Sequence, residues 1–410
     1  VDRHRARCDT SRHMPPRPPA PPRPPAAPGL TRRAFGGLLL TAPGMAALPP
    51  LRPADAAPLH VSQLLALTGA AALQGDAFRN GVEMAVQEIN AGGGLLGRQV
   101  RISTFDTQSS PQGARAAAAR ALEGGPLALL GPVATAETLA VAPMARERRV
   151  MQVTAAELPA LPAPGEPMLL LAGPGQAIRM ATLARWVQGL PGVRRVALLA
   201  AEGQGGAVAQ FAAACRARGL AVTANLVLPP GHAEPAAAIA RVVASQADAL
   251  FIAAGGAMAG HIIAEARRQA PALVLFGEAG LAGAAALRAA GPAAAGLYVQ
   301  RALAPDAPMP ALEAFHRRFQ ALYHQAPDAV AMQGYIALAM VQTAVRRLGQ
   351  PTAPLLAEAL RTSPVREADA PGILLDTAWN PAGEADRVSF MTELQAGGTL
   401  SWSTLPPLRG

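Results

Sequence analysis

The sequence predicts an α/β protein of two doubly wound lobes, each with a parallel sheet between helices. From residue 59 onward, short apolar segments alternate with helical segments, which is typical of parallel α/β sheets. The alternation restarts near residue 194, which indicates a second lobe. The chain has 410 residues and is 51% hydrophobic, enough for two large cores. Because ligands bind at the carboxyl ends of strands in such sheets, the cleft between the lobes is the expected site.

The first run of elements begins after residue 58. Its predicted strands are residues 59–68, 99–106, 127–131 and 149–154. Apolar residues from Phe78 to Ile89 recur at helical spacing, and Asp76 stands where a cap is expected. The glycines at 92–94 end that helix, since glycine readily adopts left-handed conformations. A second helix is predicted over Ala114 to Leu122.

The second run repeats the pattern with even more apolar strands. Its predicted strands are residues 194–201, 220–228, 247–254 and 272–277. The helices between them are expected at residues 206–218, 235–246 and 258–269. Continuous apolar strands of this kind indicate sheets that helices cover on both faces.

Residues 1–56 are interpreted as a leader. Residues 15–28 are a polyproline-biased stretch, followed by Arg32 and Arg33, a short apolar segment, and Ala54-Asp55-Ala56. This is the order of a secretory signal, and residues 31–35 resemble the twin-arginine export motif. Cleavage is expected after Ala56, and Met14 is an alternative start. The other interpretation is a disordered Pro/Arg tail followed by an amphipathic helix.

Composition excludes several function classes. All 36 basic residues are arginine, and six of the nine net positive charges lie in residues 1–56, so no nucleic-acid footprint is expected. Without lysine there is no phosphate-binding P-loop. The two cysteines and seven scattered histidines show no metal-ligand spacing, so neither a metal nor a cofactor is expected. Beyond the leader no run of 18 apolar residues occurs, which predicts a soluble mature chain outside the cytoplasm, in a periplasm.

One corner of the first lobe has the chemistry of a ligand site. "LLGPVATAETLAVAPMA", residues 129–145, reads as a strand, a tight Gly131-Pro132 corner and a helix start with Thr135 near it. Unpaired N–H groups at a helix start, together with a hydroxyl, hold carboxylates or phosphates. The alternative for Thr135 is a plain helix N-cap.

Three segments of the chain carry motifs in a recognisable order. Residues 75–114 contain a helix ending in Ile-Asn-Ala-Gly-Gly and a strand ending at an aspartate. Residues 129–145 hold the Gly-Pro corner, and "PDAVAMQGYIALAM", residues 327–340, reads as a late helix. Together they resemble the N-terminal signature, the Gly-Pro corner and a late helix of the type I periplasmic substrate-binding proteins of ABC transporters, in particular the branched-chain amino acid (Leu/Ile/Val) binding group.

The resemblance implies two Rossmann-like lobes joined by a three-strand hinge. Residues 58–173 and 303–350 would form the first lobe, residues 174–302 and 351–400 the second, and residues 401–410 a tail. It also implies a monomer that passes its ligand to an ABC permease in the inner membrane, without catalysis.

The same resemblance implies specific ligand contacts. Thr135 matches a hydroxyl that binds the ligand's α-carboxylate, and Ala134 offers backbone only. Glu278 matches the carboxylate that pairs with an α-ammonium group, a strong and directional contact. The alternative for Glu278 is a solvated loop acid.

Other positions depart from the family pattern. Ala155 and Ala156 match backbone contacts, but Glu157 stands where threonine is usual, and a carboxylate there repels an anionic group unless it is protonated or turned away. The alternative is that Glu157 points to solvent. Gln74 and Gln204 replace aromatic residues, so the pocket is expected to be more polar than an aliphatic site, unless the alignment is off by one or two residues.

The sequence therefore predicts an exported protein that binds a small polar ligand, an amino acid or related compound, for an ABC importer. A sensor of the same fold is the main alternative, with an amide, urea or aromatic acid as ligand and a partner receptor as target. An exported α/β enzyme is the third, but no catalytic constellation occurs in the sequence.

Overall fold

Two mainly parallel sheets form the framework of the protein. The computed structural model describes residues 57–158, 166–229 and 235–409, so the predicted leader lies outside the described residues. The first sheet has five strands, and the second has seven. Helices pack on both faces of each sheet, because each sheet contributes buried side chains to more than one apolar cluster. The predicted α/β class with two doubly wound lobes is confirmed.

The first sheet has the strand order β2-β1-β3-β4-β5 and is parallel throughout. Its strands are β1 (Leu59–Leu65), β2 (Val100–Asp106), β3 (Ala128–Leu130), β4 (Met151–Thr154) and β5 (Leu169–Leu171). The helices along this part of the chain are α1 (Ala72–Ala91), α2 (Pro111–Glu123) and α3 (Thr135–Arg148). The first four strands confirm the predicted ones, whereas β5 was not predicted.

The start of α1 differs from the prediction. The helix begins a turn earlier, after Ala71, and no side chain caps it, so Asp76 is not a cap. Asp76 instead lies within the helix and pairs with Arg79 at 2.8 Å. The Ala71 N–H donates to Ser109 Oγ at 3.0 Å, so a neighbouring loop satisfies this group in place of a local cap. The helix ends at Ala91, where the glycine run predicted its end.

The second sheet has the order β14-β13-β10-β9-β8-β6-β7. Its parallel strands are β6 (Arg195–Ala201), β7 (Ala221–Leu228), β8 (Ala249–Ala253), β9 (Val274–Glu278) and β10 (Tyr298–Arg301). The helices are α4 (Gln176–Gln188), α5 (Gly205–Ala217), α6 (Ala236–Ala244), α7 (Gly256–Gln269) and α8 (Ala284–Ala290). The four predicted strands and three predicted helices are confirmed within a few residues at each end.

The last part of the chain returns to both sheets. Its elements are α9 (Pro310–Tyr323), α10 (Ala329–Leu348), α11 (Leu356–Arg361), β11 (Thr377–Trp379), β12 (Ala385–Arg387), β13 (Ser389–Leu394) and β14 (Leu400–Leu405). Strands β13 and β14 extend the second sheet in antiparallel pairing beside β10.

Two of the expected lobe boundaries differ from the observed packing and strand pairing. Residues 351–400 were expected in the second lobe, yet buried residues of α11 and β11, such as Leu356, Leu360 and Trp379, join the apolar cluster around α10. Helix α11 packs beside α10, and the Trp379 indole N–H donates to the Leu171 carbonyl of β5 at 3.0 Å. Residues 401–410 were expected to be a tail, but Leu400–Leu405 pairs with β13 as a strand.

Three chain segments connect the two sheets within the described residues. Residues 172–175 lead from β5 to α4, residues 302–309 lead from β10 to α9, and Val388 separates β12 from β13. These crossings place the carboxyl ends of strands from both sheets around one region. None of the helices in the described residues combines the length and apolar character needed to cross a bilayer.

Asp248 ties together the starts of two strands in the second sheet. Its Oδ2 accepts the N–H groups of Arg194 and Arg195 at 2.9 and 2.8 Å, and its Oδ1 accepts from Arg195 Nη2 at 2.9 Å. The hydrogen bond from the Arg195 side chain, helped by the two backbone bonds, lowers the pKa of Asp248 to about 2. The bonds therefore stabilise the folded state only while Asp248 is ionised.

Asp248→Asn is expected to lower the free energy of unfolding at pH 7 by about 1 kcal/mol, because solvent partly screens this half-buried group. The lowered pKa means that the stabilisation is complete above the unfolded pKa near 3.8 and is lost as pH falls through about 2. Urea unfolding at pH 7 and at pH 2 measures this difference. Asp76→Asn, in an exposed helical ion pair, is the control, and an equal loss in both variants would contradict the prediction.

Candidate functional site

A cavity of about 540 Å³ lies where strand ends of both sheets meet. Its walls come from the residues that follow β4, β8, β9 and β10, together with the connecting segment at Gly173 and Pro174. Six of the eight predicted ligand residues line it: Gln74, Ala155, Ala156, Glu157, Gln204 and Glu278. The position agrees with the rule that open parallel sheets bind ligands at the carboxyl ends of their strands.

The Gly131-Pro132 corner is fixed by buried hydroxyl groups. Gly131 has a φ of +91°, and a Cβ atom there would overlap the Leu64 carbonyl oxygen. Thr154 Oγ1 donates to the Pro132 carbonyl at 2.6 Å and accepts from the Ala156 N–H at 2.9 Å. The corner and the Ala155–Glu157 segment are therefore held against each other by one side chain.

Thr135 is engaged within the protein and does not line the cavity. Its hydroxyl donates to the Glu157 backbone carbonyl at 2.8 Å. Ala134 is the N-cap residue of α3 and has no side-chain capping bond, so Thr135 is the first helical residue and not the cap. Ala134 is likewise absent from the lining. Thr135 and Ala134 therefore lie outside the cavity lining, whereas the other six predicted residues belong to it.

Arg179 is a functional candidate that sequence reasoning missed. It lies in the first part of α4, and its side chain is only 8% exposed. Arg179 Nε donates to Glu278 Oε1 at 2.6 Å, and Nη1 donates to the Pro174 carbonyl at 3.2 Å. Its Nη2 lies 3.6 Å from Glu157 Oε2, so the guanidinium reaches a carboxylate from the opposite side of the cavity.

The guanidinium of Arg179 keeps its charge despite burial. Desolvation alone lowers its pKa, but the carboxylates of Glu278 and Glu157 outweigh that effect, so the pKa of Arg179 is raised overall. The two pairs are unequal, because the Glu278 side chain is 28% exposed and the Glu157 side chain is 77% exposed. The contact with Glu157 is therefore weak, as is usual for exposed ion pairs.

Gln300 forms the floor of the cavity beside Glu278. The two residues are register partners on the parallel strands β10 and β9, so their side chains lie next to each other on one face. Gln300 is 2% exposed, and its Nε2 donates to the Arg179 carbonyl at 3.2 Å. Its Oε1 is buried and has no hydrogen-bond partner in the part of the chain that the structure describes.

The remaining polar lining consists of amide side chains. Gln74 and Gln204 are exposed at the mouth of the cavity, and Gln333 Nε2 donates to the Ala155 carbonyl at 3.4 Å. Among the described lining residues, Phe251 is the only aromatic one. The lining thus combines these hydrogen-bonding groups with small apolar residues such as Ala254 and Ala302, and the polar pocket expected from Gln74 and Gln204 stays a prediction. No cluster of three or more potential metal-ligating side chains occurs among the described residues.

A family model and two curated proteins show what this chain is similar to. A family model described as periplasmic binding protein matches residues 58–399. A Leu/Ile/Val-binding protein from Escherichia coli K12 is 24% identical over 348 residues, which is 83% of this chain and 92% of that protein. The Leu/Ile/Val-binding protein BraC3 from Rhizobium johnstonii is 29% identical over 209 residues, 50% of this chain, and the match spans only 56% of that relative.

A solved structure supports the fold at lower sequence identity. An ABC transporter substrate-binding protein from Sphaerobacter thermophilus superposes with a TM-score of 0.73 and 20% identity. The superposition covers 85% of this chain and 98% of that one.

Proposed function

The chain belongs to the periplasmic binding protein family, and we propose that it captures a small polar solute and delivers it to an ABC permease in the inner membrane. The observation that carries the proposal is the 540 Å³ cavity, which is lined from both sheets and contains the buried Arg179. Its volume suits a ligand of amino-acid size. The names of the curated relatives, which bind Leu, Ile and Val, support this size range.

Export is part of the proposal and depends on the sequence of residues 1–56. The paired arginines and the following apolar segment favour the twin-arginine route to the periplasm. Delivery to a permease is favoured over sensing because the structural neighbour from Sphaerobacter thermophilus is named as an ABC transporter substrate-binding protein. A permease and ATPase gene pair beside this gene supports transport, whereas a receptor gene in that place supports the sensing alternative.

A thermal-shift screen of the purified protein tests solute binding. Amino acids, short amides, urea and aromatic acids form the panel, and at least one class is expected to raise the melting temperature. A ligand at one hundred times its Kd adds about 2.7 kcal/mol to the free energy of unfolding, because only the folded state binds it. The absence of any shift across the panel would contradict the proposal.

Two tryptophan variants locate the binding. Ala279→Trp places an indole in the cavity and is expected to abolish the shift. Ala272→Trp, at an exposed position before β9 and outside the cavity, is expected to retain it. If both variants responded like the parent protein, binding would lie elsewhere.

A further inference from the structure

We infer that the cavity recognises a neutral carboxamide or urea-type group through Arg179, Glu278 and Gln300, and not the ammonium and carboxylate of an amino acid. The inference rests on the proposed solute-binding function and names the ligand class for the same site. Three observations carry it: the partner of Glu278, the balance of charge in the cavity, and an unpaired acceptor on its floor.

The charge of Glu278 is already balanced by Arg179 at Oε1, which leaves only its second oxygen, Oε2, for a neutral N–H donor. Arg179 Nε lies 2.6 Å from Glu278 Oε1, and the guanidinium side chain is almost fully buried. An ammonium that displaced it would leave a buried cation without its main partner, which is costly. Glu278 therefore acts on the ligand together with Arg179, as a neutral pair.

The charge balance also disfavours a carboxylate ligand. Arg179 is the one cation among the described lining residues, whereas Glu157 and Glu278 are both anionic. A third carboxylate, that of Glu384, lies close to the start of α4 and is 7% exposed. An anionic ligand would add to this excess of negative charge, and a neutral ligand would not.

The hydrogen-bonding groups match an amide. Gln300 Oε1 is a buried acceptor without a partner in the described structure, and it lies beside Glu278. Arg179 Nη2 makes no hydrogen bond to a described residue and lies 3.6 Å from Glu157. The carbonyl oxygen of an amide ligand accepts a hydrogen bond from Arg179 Nη2. The N–H groups of the same amide donate to Gln300 Oε1 and Glu278 Oε2. A carboxylate has no N–H and leaves Gln300 unpaired.

Matched ligand sets test the inference by calorimetry. The sets are acetamide with acetate, benzamide with benzoate, and 4-methylpentanamide with 4-methylpentanoate and leucine, and urea is added alone. At least one amide, or urea, is expected to bind, and each binding amide is expected to bind at least tenfold more tightly than its acid. Tighter binding of leucine or of any acid would overturn the inference and leave the solute-binding function standing. No binding by any of these compounds would overturn the inference, and only the wider screen above, if it also failed, would overturn the function.

Two variants are expected to reduce the preference of the cavity for amides over acids. Glu278→Gln frees the charge of Arg179, so the ratio of amide to acid affinity is expected to fall at least tenfold. Gln300→Leu removes the buried acceptor and is expected to weaken amide binding about fivefold without weakening acid binding. Glu265→Gln is the control, because Glu265 forms an ion pair with Arg268 on α7, and it is expected to leave the ratio of amide to acid affinity unchanged. An unchanged ratio in folded Glu278→Gln would overturn the inference, and the ligand sets on the parent protein decide it if that variant does not fold.

Discussion

Gly334→Ala is expected to lower the free energy of unfolding by about 3 kcal/mol, because α1 and α10 pack with their backbones in contact at this point. A Cβ atom on Gly334 would overlap the Phe78 carbonyl oxygen and lie 2.9 Å from its carbonyl carbon. Gly81 meets α10 in the same way, with its Cβ position 2.7 Å from the Tyr335 nitrogen. Backbone atoms cannot move aside as a side chain does, so the helices must separate and expose apolar surface. Urea denaturation at pH 7 measures the loss.

Gly206→Ala is the matched control for this prediction. Gly206 lies in the first turn of α5, and a Cβ atom there would have open space, with its nearest neighbour at 3.8 Å. The same substitution is expected to raise the free energy of unfolding by roughly 0.5–1 kcal/mol, because alanine has the higher helix propensity. Equal effects at Gly334 and Gly206 would show that the helix contact contributes no steric constraint.

The parts of the fold that the sequence predicts well are those with a local signal. Strands such as β6 and β8 are continuous apolar runs, since helices cover both faces of the sheet. The end of α1 follows from its glycine run. Strands β13 and β14 were missed because they contain polar residues and β14 is largely exposed, so no apolar run identifies them.

The candidate site was only partly predictable, because its chemistry depends on distant partners. Six of the expected residues line the cavity, since each follows a strand or opens a helix at the cleft. The hydroxyl of Thr135, however, bonds to a carbonyl 22 residues away, which no sequence pattern reveals. Arg179 did leave one signal: it lies on the buried side of α4 beside Met180 and Leu183, where a charge is unusual.

Gln300 could not be found from the sequence for a related reason. Strand β10 is short, with only four residues, and two of them are polar or charged, so it was not predicted. Its importance arises from the register with β9, which sets Gln300 beside Glu278. A side chain whose role depends on strand pairing becomes visible only once the sheet order is known.

Arg179→Met is expected to abolish ligand-dependent stabilisation and to lower the free energy of unfolding by about 2 kcal/mol. The variant leaves Glu278 without the cation that lies 2.6 Å from it, and an unpaired carboxylate is costly when it is mostly buried. The figure is below that for a fully buried pair, because the Glu278 side chain retains 28% exposure. Melting curves with and without the best ligand from the screen measure both effects.

The double variant Arg179→Met, Glu278→Leu separates the structural role of the pair from its role in binding. Removing both charges is expected to recover most of the lost stability, since replacing a buried ion pair by apolar residues is often neutral, while ligand binding remains absent.

Arg185→Met, on the same helix but directed at the Pro406 and Pro407 carbonyls, is the control and is expected to bind ligand normally. Full ligand response in Arg179→Met would remove Arg179 from the site. A double variant as unstable as the single one would mean that the side chain stabilises α4 through packing and not through its charge.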